Sequence, residues 1–167
     1  SGLDGVTPED RVHLPEHSGE VMMPFIQVCN PDARIGVICV TQGAGLDDLE
    51  SFGRALPGIF EDIGAEDALV VASSDMSHED GPNSLERVNK QDALVHEQLK
   101  AFSPQGVHRV CRENHVTMCG RLPAVAMMYC AKEQGAEEAI LAARATSADS
   151  PYGGGNRVVG YTGMIFR

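Results

Sequence analysis

Residues 68–78 read ALVVASSDMSH, so a short apolar run leads directly into Asp75 and His78. A continuous apolar run bounded by polar residues is typical of a β-strand buried on both faces. In open α/β sheets, ligands bind beyond the carboxyl ends of such strands. The run therefore predicts a buried strand over residues 68–73 that brings a carboxylate and an imidazole to the mouth of a site. For this segment alone, a Ser/Asp turn whose side chains satisfy nearby backbone groups is an equally good interpretation.

A second candidate group precedes the first apolar helical stretch. Residues 16–20 read EHSGE, which sets His17 between Glu16 and Glu20. Carboxylates near a metal-binding imidazole orient the ring and raise its basicity. We therefore interpret His17 as a candidate metal ligand, with Glu16 and Glu20 as the carboxylates that orient it. The alternative interpretation is a histidine that caps the following helix.

A third candidate is a cysteine at the start of a predicted helix. Residues 117–123 read TMCGRLP, which puts Cys119 just ahead of a helix that begins near Pro123. Unpaired backbone N–H groups and the helix dipole at such a position favour the thiolate, which is a soft metal ligand. Cys119 is therefore a second candidate metal ligand. A small buried apolar residue, the usual role of a free cysteine, is the alternative.

Helical and strand patterns alternate along the chain. Helical patterns occupy residues 21–29, 46–63 and 123–133, and a long helix follows a predicted N-cap at Asn83. Strand patterns occupy residues 34–41, 68–73, 139–146 and 157–165, the last two around a turn at Gly153-Gly154-Gly155. This βαβ alternation predicts an α/β fold with a mostly parallel sheet and helices on both faces, in three layers. We see no repeat or linker, so residues 1–167 are expected to form a single domain.

The composition excludes several classes of protein. The 167 residues carry a formal net charge of −11, which argues against a nucleic-acid partner because phosphate binding needs clustered Lys and Arg. No apolar run is long enough to predict a membrane span. The five cysteines include no Cys-x-x-Cys pair, so neither a disulfide framework nor a structural zinc site is expected. A reducing cytoplasm is the predicted compartment.

The remaining histidines and cysteines are assigned structural roles. Four histidines lack the acidic or strand-end setting of the candidates: His13, His96, His108 and His115. His96 is predicted to lie on the polar face of its helix. Four cysteines are predicted to be buried and unreactive: Cys29, Cys39, Cys111 and Cys130.

Five motifs taken together resemble one known family. They are acid-His-Ser-x-Glu-x-x-x-Pro-Phe at residues 16–25, Ser-Ser-Asp-x-Ser-His at 73–78, Cys-Gly-Arg-x-Pro at 119–123, Thr-Ser-x-Asp at 146–149 and Val-Val-Gly-Tyr at 158–161. In this order and spacing they resemble the Memo family, whose bacterial members are labelled AmmeMemoRadiSam system protein B. That family is in turn similar to the class III extradiol dioxygenases, which bind non-haem iron in an α/β fold.

The resemblance implies a metal site. Carried over motif by motif, His17 and Cys119 look like two of three family ligands to an iron or copper ion. Asp75 and His78 would line the same pocket, with His78 as general acid or base and Asp75 fixing its tautomer. The side-chain tips of these four residues are then expected to lie within roughly 10 Å of one another, a separation that suits a metal and the groups around it.

The chain also departs from the family pattern. Nothing in it resembles the Pro-His-Ala-Gly-Tyr segment that supplies the remaining family histidine upstream of Glu16. We therefore expect the chain to be a C-terminal portion of a longer protein, with an incomplete metal site. Gly19 replaces a bulky aliphatic residue and Glu79 an aromatic one, which should make the pocket more open and more negative.

Two functions of different classes follow. The first is metal-dependent redox or dioxygenase-like chemistry on an unknown small molecule. The second is a non-catalytic module that binds a peptide or a partner protein in a pathway with radical-SAM and AMMECR-type proteins. Sheet surface left open by the absent segment would, in either case, favour a homo-oligomer or a second chain that supplies a strand.

Overall fold

The computed structural model describes residues 5–152 and 156–167, and the chain divides into two compact units. The first unit extends to Gly43 and the second runs from Ala44 to Arg167. The predicted turn at Gly153-Gly154-Gly155 lies outside the described residues. That residues 1–167 form a single domain stays a prediction.

Short helices form the regular structure of the first unit. Two 3₁₀ helices, Asp10–His13 and Glu20–Met22, precede helix α1, Met23–Cys29. Pro24 occupies the first turn of α1, where its missing N–H costs nothing, as the predicted helix over residues 21–29 requires. The predicted strand over residues 34–41 is wrong, because none of these residues is paired into a sheet. The apolar side chains of this segment remain partly exposed: Ile35, Val37 and Ile38.

Four helices form most of the second unit: α2 (Leu46–Asp62), α3 (Ser84–Lys100), α4 (Pro104–Glu113) and α5 (Arg121–Glu133). Helix α2 continues through Pro57, in agreement with the predicted helix over residues 46–63. Helix α4 was not predicted, although Ser103 caps it by accepting the Gly106 N–H at 3.0 Å and Pro104 follows at the first helical position. The predicted side-chain cap at Asn83 is wrong, because Asn83 adopts a left-handed conformation with φ of 58° and makes no such bond.

The sheet of the second unit has three strands: β1 (His78–Asp80), β2 (Ala139–Thr146) and β3 (Arg157–Phe166). Their order is β1-β3-β2, and β3 pairs antiparallel with both neighbours. The fold is thus α/β, but the mostly parallel, three-layer arrangement is not found among the described residues. The physical reason is that segments 34–41 and 68–73, which would have supplied parallel strands, are unpaired, while β2 and β3 pair directly without a crossover helix.

The core of the second unit lies between the helices and β3. Its fully buried side chains come mainly from α3, α4 and α5, and the largest are Tyr129, Leu49, Leu122, Met128, Val88 and Val95. Helices α2 and α5 approach closely at Gly53, where an added Cβ would overlap the carbonyl of Ala126. Among the described residues, no helix combines the length and apolar character needed to cross a bilayer.

Burial separates the cysteines into two kinds. Cys111 and Cys130 are buried as predicted, and burial raises the pKa of Cys111 to about 11, which keeps that thiol protonated. The prediction fails for the first unit, where Cys29 is exposed and Cys39 is half-buried. The sulfur of Cys39 lies 3.4 Å from Nδ1 of His13. Both cysteines sit in short or irregular segments that bury few side chains.

Two histidines of the helices are buried, and the prediction that His96 lies on the polar face of its helix is wrong. His96 on α3 is 5% exposed, and its Nε2 lies 2.7 Å from the Thr162 hydroxyl of β3. Burial lowers the pKa of His96, and the charges of Arg144 and Lys100 lower it further, whereas Asp92 acts in the opposite direction. The folded state therefore favours the neutral ring.

His108 on α4 is also buried. Burial lowers its pKa, and the neighbouring guanidinium groups of Arg112 and Arg121 act in the same direction. Since Nδ1 of His108 is buried and has no hydrogen-bond partner among the described residues, protonation would add an uncompensated charge. His96 and His108 thus share the same response to acid.

Acid should destabilise the protein in the range where histidine titrates. A base with a lower pKa in the folded than in the unfolded state binds more protons when unfolded, so the stabilisation present above pH ~6.5 is lost as the pH falls through the folded-state values. Urea unfolding at pH 7.5 and 5.5 measures this loss, because exposed carboxylates stay ionised over that range. The double variant His96→Gln, His108→Gln should show a smaller change in the free energy of unfolding between the two pH values. An unchanged slope in the double variant would contradict the assignment.

Candidate functional site

Three of the predicted site residues lie together in the second unit. Asp75 follows the apolar run of residues 68–73, and its backbone N–H donates to the sulfur of Cys119 at 3.4 Å. The Asp75 carboxylate in turn lies 3.2 Å from Nε2 of His78. A single residue therefore joins the thiol to the imidazole. We refer to Ser74, Asp75, His78, Thr117, Cys119 and Gly120 as the Cys119 cluster.

The position of Cys119 depends on a close approach between two segments. The Ser74 hydroxyl accepts the Gly120 N–H at 2.8 Å and lies 3.8 Å from the Cys119 sulfur. A Cβ added at Gly120 would lie 2.5 Å from Cβ of Ser74 and 2.6 Å from the carbonyl oxygen of Ser73. Only glycine fits at this point. The Cys-Gly dipeptide thus lets the start of α5 contact the segment that carries Asp75.

Thr117 fixes the backbone of His78. The Thr117 hydroxyl accepts the His78 N–H at 2.6 Å and donates to the His78 carbonyl at 3.0 Å. Both backbone groups of His78 are thus bonded by one side chain. Because Thr117 lies two residues before Cys119, the strand that carries His78 is held beside the loop that carries the thiol.

The cluster is open to solvent on its chemical side. Cys119 is exposed, and the side chains of Asp75 and His78 are 47% and 21% exposed. Because Asp75 engages Nε2 of His78, the other ring nitrogen, Nδ1, is the one that can take a proton or a metal ion. The arrangement offers a small ligand an accessible thiol and an imidazole oriented by a carboxylate.

The other predicted residues lie in the first unit. Nδ1 of His17 is 3.7 Å from the Glu16 carboxylate, and the predicted role of Glu16 in orienting the ring stays a prediction. Glu16 accepts the Ser18 N–H at 2.7 Å, and this hydrogen bond is the main cause that lowers the pKa of Glu16. Glu20 begins the 3₁₀ helix Glu20–Met22. The role of Glu20 and the convergence of His17 with Cys119 stay predictions.

In neither unit do the described residues bring three His, Cys, Asp or Glu side chains into positions from which they could hold one metal ion. A catalytic metal site normally has three protein ligands. Cys119 and His78 supply donors of the types that suit copper and iron, thiolate and imidazole. These two donors therefore fit such an ion in kind, and that they bind one stays a prediction.

Sequence reasoning gave no role to three residues of the Cys119 cluster. Ser74, Thr117 and Gly120 were quoted within motifs, but each acts through contacts between segments more than 35 residues apart. The signal for Gly120 was available, since a glycine beside a functional residue often marks a close backbone approach. Nothing in the local sequence of Ser74 or Thr117 points to its partner.

The chain is similar to known proteins over nearly its whole length. A family model described as Memo-like protein matches residues 4–165. The chain is 34% identical over 160 residues to a MEMO1 family protein of Aquifex aeolicus, covering 95% of this chain and 57% of that protein. It is 33% identical over 165 residues to one of Ignicoccus hospitalis, with shares of 98% and 56%, and 32% identical over 165 residues to one of Methanopyrus kandleri, with the same shares. The chain thus spans little more than half the length of these relatives.

Substitution of Gly120 by alanine should destabilise the second unit. The new methyl group would have to displace Ser73 and Ser74, and overpacking of this kind costs about 1–3 kcal/mol. Gly58→Ala is the matched control, because Gly58 is an exposed residue of α2 with nothing within 4 Å of its added Cβ. It should raise the free energy of unfolding by up to about 1 kcal/mol. Urea unfolding measures both, and equal values for the two variants would refute the close approach.

Proposed function

This chain belongs to the Memo family, and from that premise we propose that it supplies a thiol and an imidazole to a metal-dependent redox or dioxygenase-like site that acts on a small molecule. One observation supports the proposal above the others. The Asp75 backbone binds the Cys119 sulfur at 3.4 Å while the Asp75 side chain binds the His78 ring at 3.2 Å. The same residue therefore contacts both a soft donor and an imidazole that can act as an acid or base.

The protein residues have separate roles in this proposal. Cys119 and, by family resemblance, His17 would hold an iron or copper ion, which would supply the redox chemistry when bound. His78 would move a proton at Nδ1, because Asp75 holds Nε2 and so selects the tautomer. The exposure of Cys119 allows a ligand to reach the sulfur. His78 could also serve as a metal ligand in place of a proton carrier.

The alternative is a non-catalytic module that binds a peptide or a partner protein, for which radical-SAM and AMMECR-type proteins are the proposed partners. Its support is the apolar segment just before the Cys119 cluster. Leu69 and Val71 are 86% and 50% exposed, and residues 69–73 pair with no strand in the described structure. A segment that pairs with no strand and exposes apolar side chains can accept a strand from another chain. The two functions make different predictions for metal binding.

Metal binding by the purified chain should be weak and should depend on Cys119. Fewer than three donors meet among the described residues of either unit, so we expect incomplete occupancy with Cu(II) or Co(II) and a thiolate-to-metal charge-transfer band. Cys119→Ser should abolish the band and weaken binding about tenfold or more, and Asp75→Ala should weaken it less. Metal titration with absorption spectroscopy measures both quantities.

Cys29→Ser is the control for this experiment, since Cys29 is the other exposed thiol in the described structure. It should leave the band and the affinity unchanged. A tight stoichiometric complex that survives Cys119→Ser would show that the ligand assignment is wrong. Complete lack of metal binding by the wild-type chain would favour the binding module.

Self-association through the apolar segment is also expected. A second copy that pairs along residues 69–73 would bury Leu69 and Val71, and exposed edges of this kind promote association. Light scattering should report a dimer or a larger species, and Leu69→Lys with Val71→Lys should give a monomer. Val28→Lys is the control, because Val28 is as exposed as Leu69 but lies on α1. A monomeric wild-type protein would remove this proposal.

A further inference from the structure

The segment between Asp75 and His78 contains an irregularity in its pairing with β3. The Gly160 carbonyl accepts the Met76 N–H at 2.9 Å, while the Gly160 N–H donates to the Ser77 carbonyl at 2.9 Å. Two residues, Met76 and Ser77, thus face one residue of β3, which is the arrangement of a β-bulge. Regular pairing resumes at His78, opposite Val159. Bulges next to functional sites commonly change the direction in which side chains point.

The bulge leaves the Ser77 N–H without an acceptor on β3, and α3 supplies one. The Asp92 carboxylate accepts this N–H at 2.9 Å. Asp92 is 4% exposed and Ser77 is fully buried, so the hydrogen bond is shielded from water. A buried N–H that loses its partner carries a large desolvation cost, and this contact therefore holds the bulge in place.

Gly160 makes room for the carboxylate. A Cβ added at Gly160 would overlap the second carboxylate oxygen of Asp92 and would lie 3.2 Å from Cβ of Met76. The Val-Val-Gly-Tyr motif thus has a physical reason at its glycine, because the side chain of Asp92 occupies the space above that residue. Helix α3, strand β3 and the bulge meet at this one point.

We propose that Asp92 is a positioning residue of the Cys119 cluster, an inference that rests on the function proposed for Cys119 and His78. Two residues before Ser77, the Asp75 N–H reaches the Cys119 sulfur, and one residue after it, the His78 backbone is bonded to Thr117. Movement of the bulge would therefore change both the contact of Asp75 with Cys119 and the contact of His78 with Thr117. By fixing the bulge at Met76 and Ser77, Asp92 sets the distance between the Ser74–Asp75 backbone and the Cys119 thiol.

A second α3 contact to β3 serves as an internal comparison. His96 lies one helical turn after Asp92 and bonds to Thr162 at 2.7 Å, so the two residues face the same strand. His96 has no hydrogen bond to the bulge residues among its described contacts. Its loss would weaken the packing of α3 on the sheet without releasing Ser77.

The test measures how closely residue 74 is held to Cys119, and it needs no metal. The Ser74 hydroxyl lies 3.8 Å from the Cys119 sulfur, so Ser74→Cys brings a second thiol within reach of a disulfide. In a background with Cys29→Ser and Cys39→Ser, equilibration in glutathione buffers gives the effective concentration of the two thiols. Tryptic peptides of residues 55–87 and 113–121 identify the crosslink, because each then holds a single cysteine.

Asp92→Ala should lower this effective concentration about tenfold, while Asp92→Asn, which keeps an acceptor oxygen, should stay within about twofold of the parent. His96→Gln should leave it unchanged although it lowers stability. Should Asp92→Ala not fold, Asp92→Ser replaces it, since the shorter side chain does not reach the Ser77 N–H.

An unchanged effective concentration in folded Asp92→Ala, or an equal fall in His96→Gln, would overturn the positioning role. Because the readout is a thiol equilibrium, it stands apart from metal binding. If the wild-type protein binds no metal but Asp92→Ala still lowers the effective concentration of the two thiols, the proposed redox function is rejected and the positioning role is kept.

Discussion

The structure of the second unit depends on the meeting of one buried carboxylate, one glycine and one irregular pair of residues. Asp92 occupies the space above Gly160 and accepts the N–H that the bulge at Met76 and Ser77 leaves free. Through this contact, helix α3 holds strand β3 and the segment that carries Asp75 and His78 next to each other. The Ser77 N–H offsets part of the cost of burying this carboxylate, because a hydrogen bond to a charged group is stronger than one between neutral groups.

A second glycine does for the thiol what Gly160 does for the carboxylate. At Gly120 the absence of a side chain lets α5 begin directly against Ser74, and the Cys119 sulfur then lies within reach of the Asp75 N–H. Both glycines belong to motifs by which the chain resembles its family, Cys-Gly-Arg and Val-Val-Gly-Tyr. Both leave space that a neighbouring segment or side chain fills, Ser73 and Ser74 at Gly120 and Asp92 at Gly160.

Sequence reasoning succeeded where the information is local. The helix over residues 46–63 was predicted from its helical pattern and is present as α2. Asp75, His78 and Cys119 were selected because each stands at the end of an apolar run or the start of a helix; they lie together, and their roles stay predictions. The sequence patterns did not predict the sheet, because the direction of strand pairing depends on which segments meet. The apolar runs at 34–41 and 68–73 are unpaired in the structure. Asp92 was overlooked for the same reason. A lone aspartate in a helical pattern predicts a solvated residue, whereas Asp92 is 4% exposed and packs against Gly160 on another element.

The two proposed functions use the same stretch of chain. Leu69 and Val71, which would receive a partner strand, lie only a few residues before Asp75, and no regular strand pairing separates them from the Cys119 cluster. The bulge at Met76 and Ser77 holds the chain just after Asp75. Residues 69–73, before Asp75, have no comparable strand pairing. A partner strand paired with residues 69–73 would therefore restrain Asp75 from the side that the bulge does not reach. Binding along the apolar segment and chemistry at Cys119 would therefore affect each other, because both involve one short segment that the hydrogen bond between Ser77 and Asp92 holds at one end.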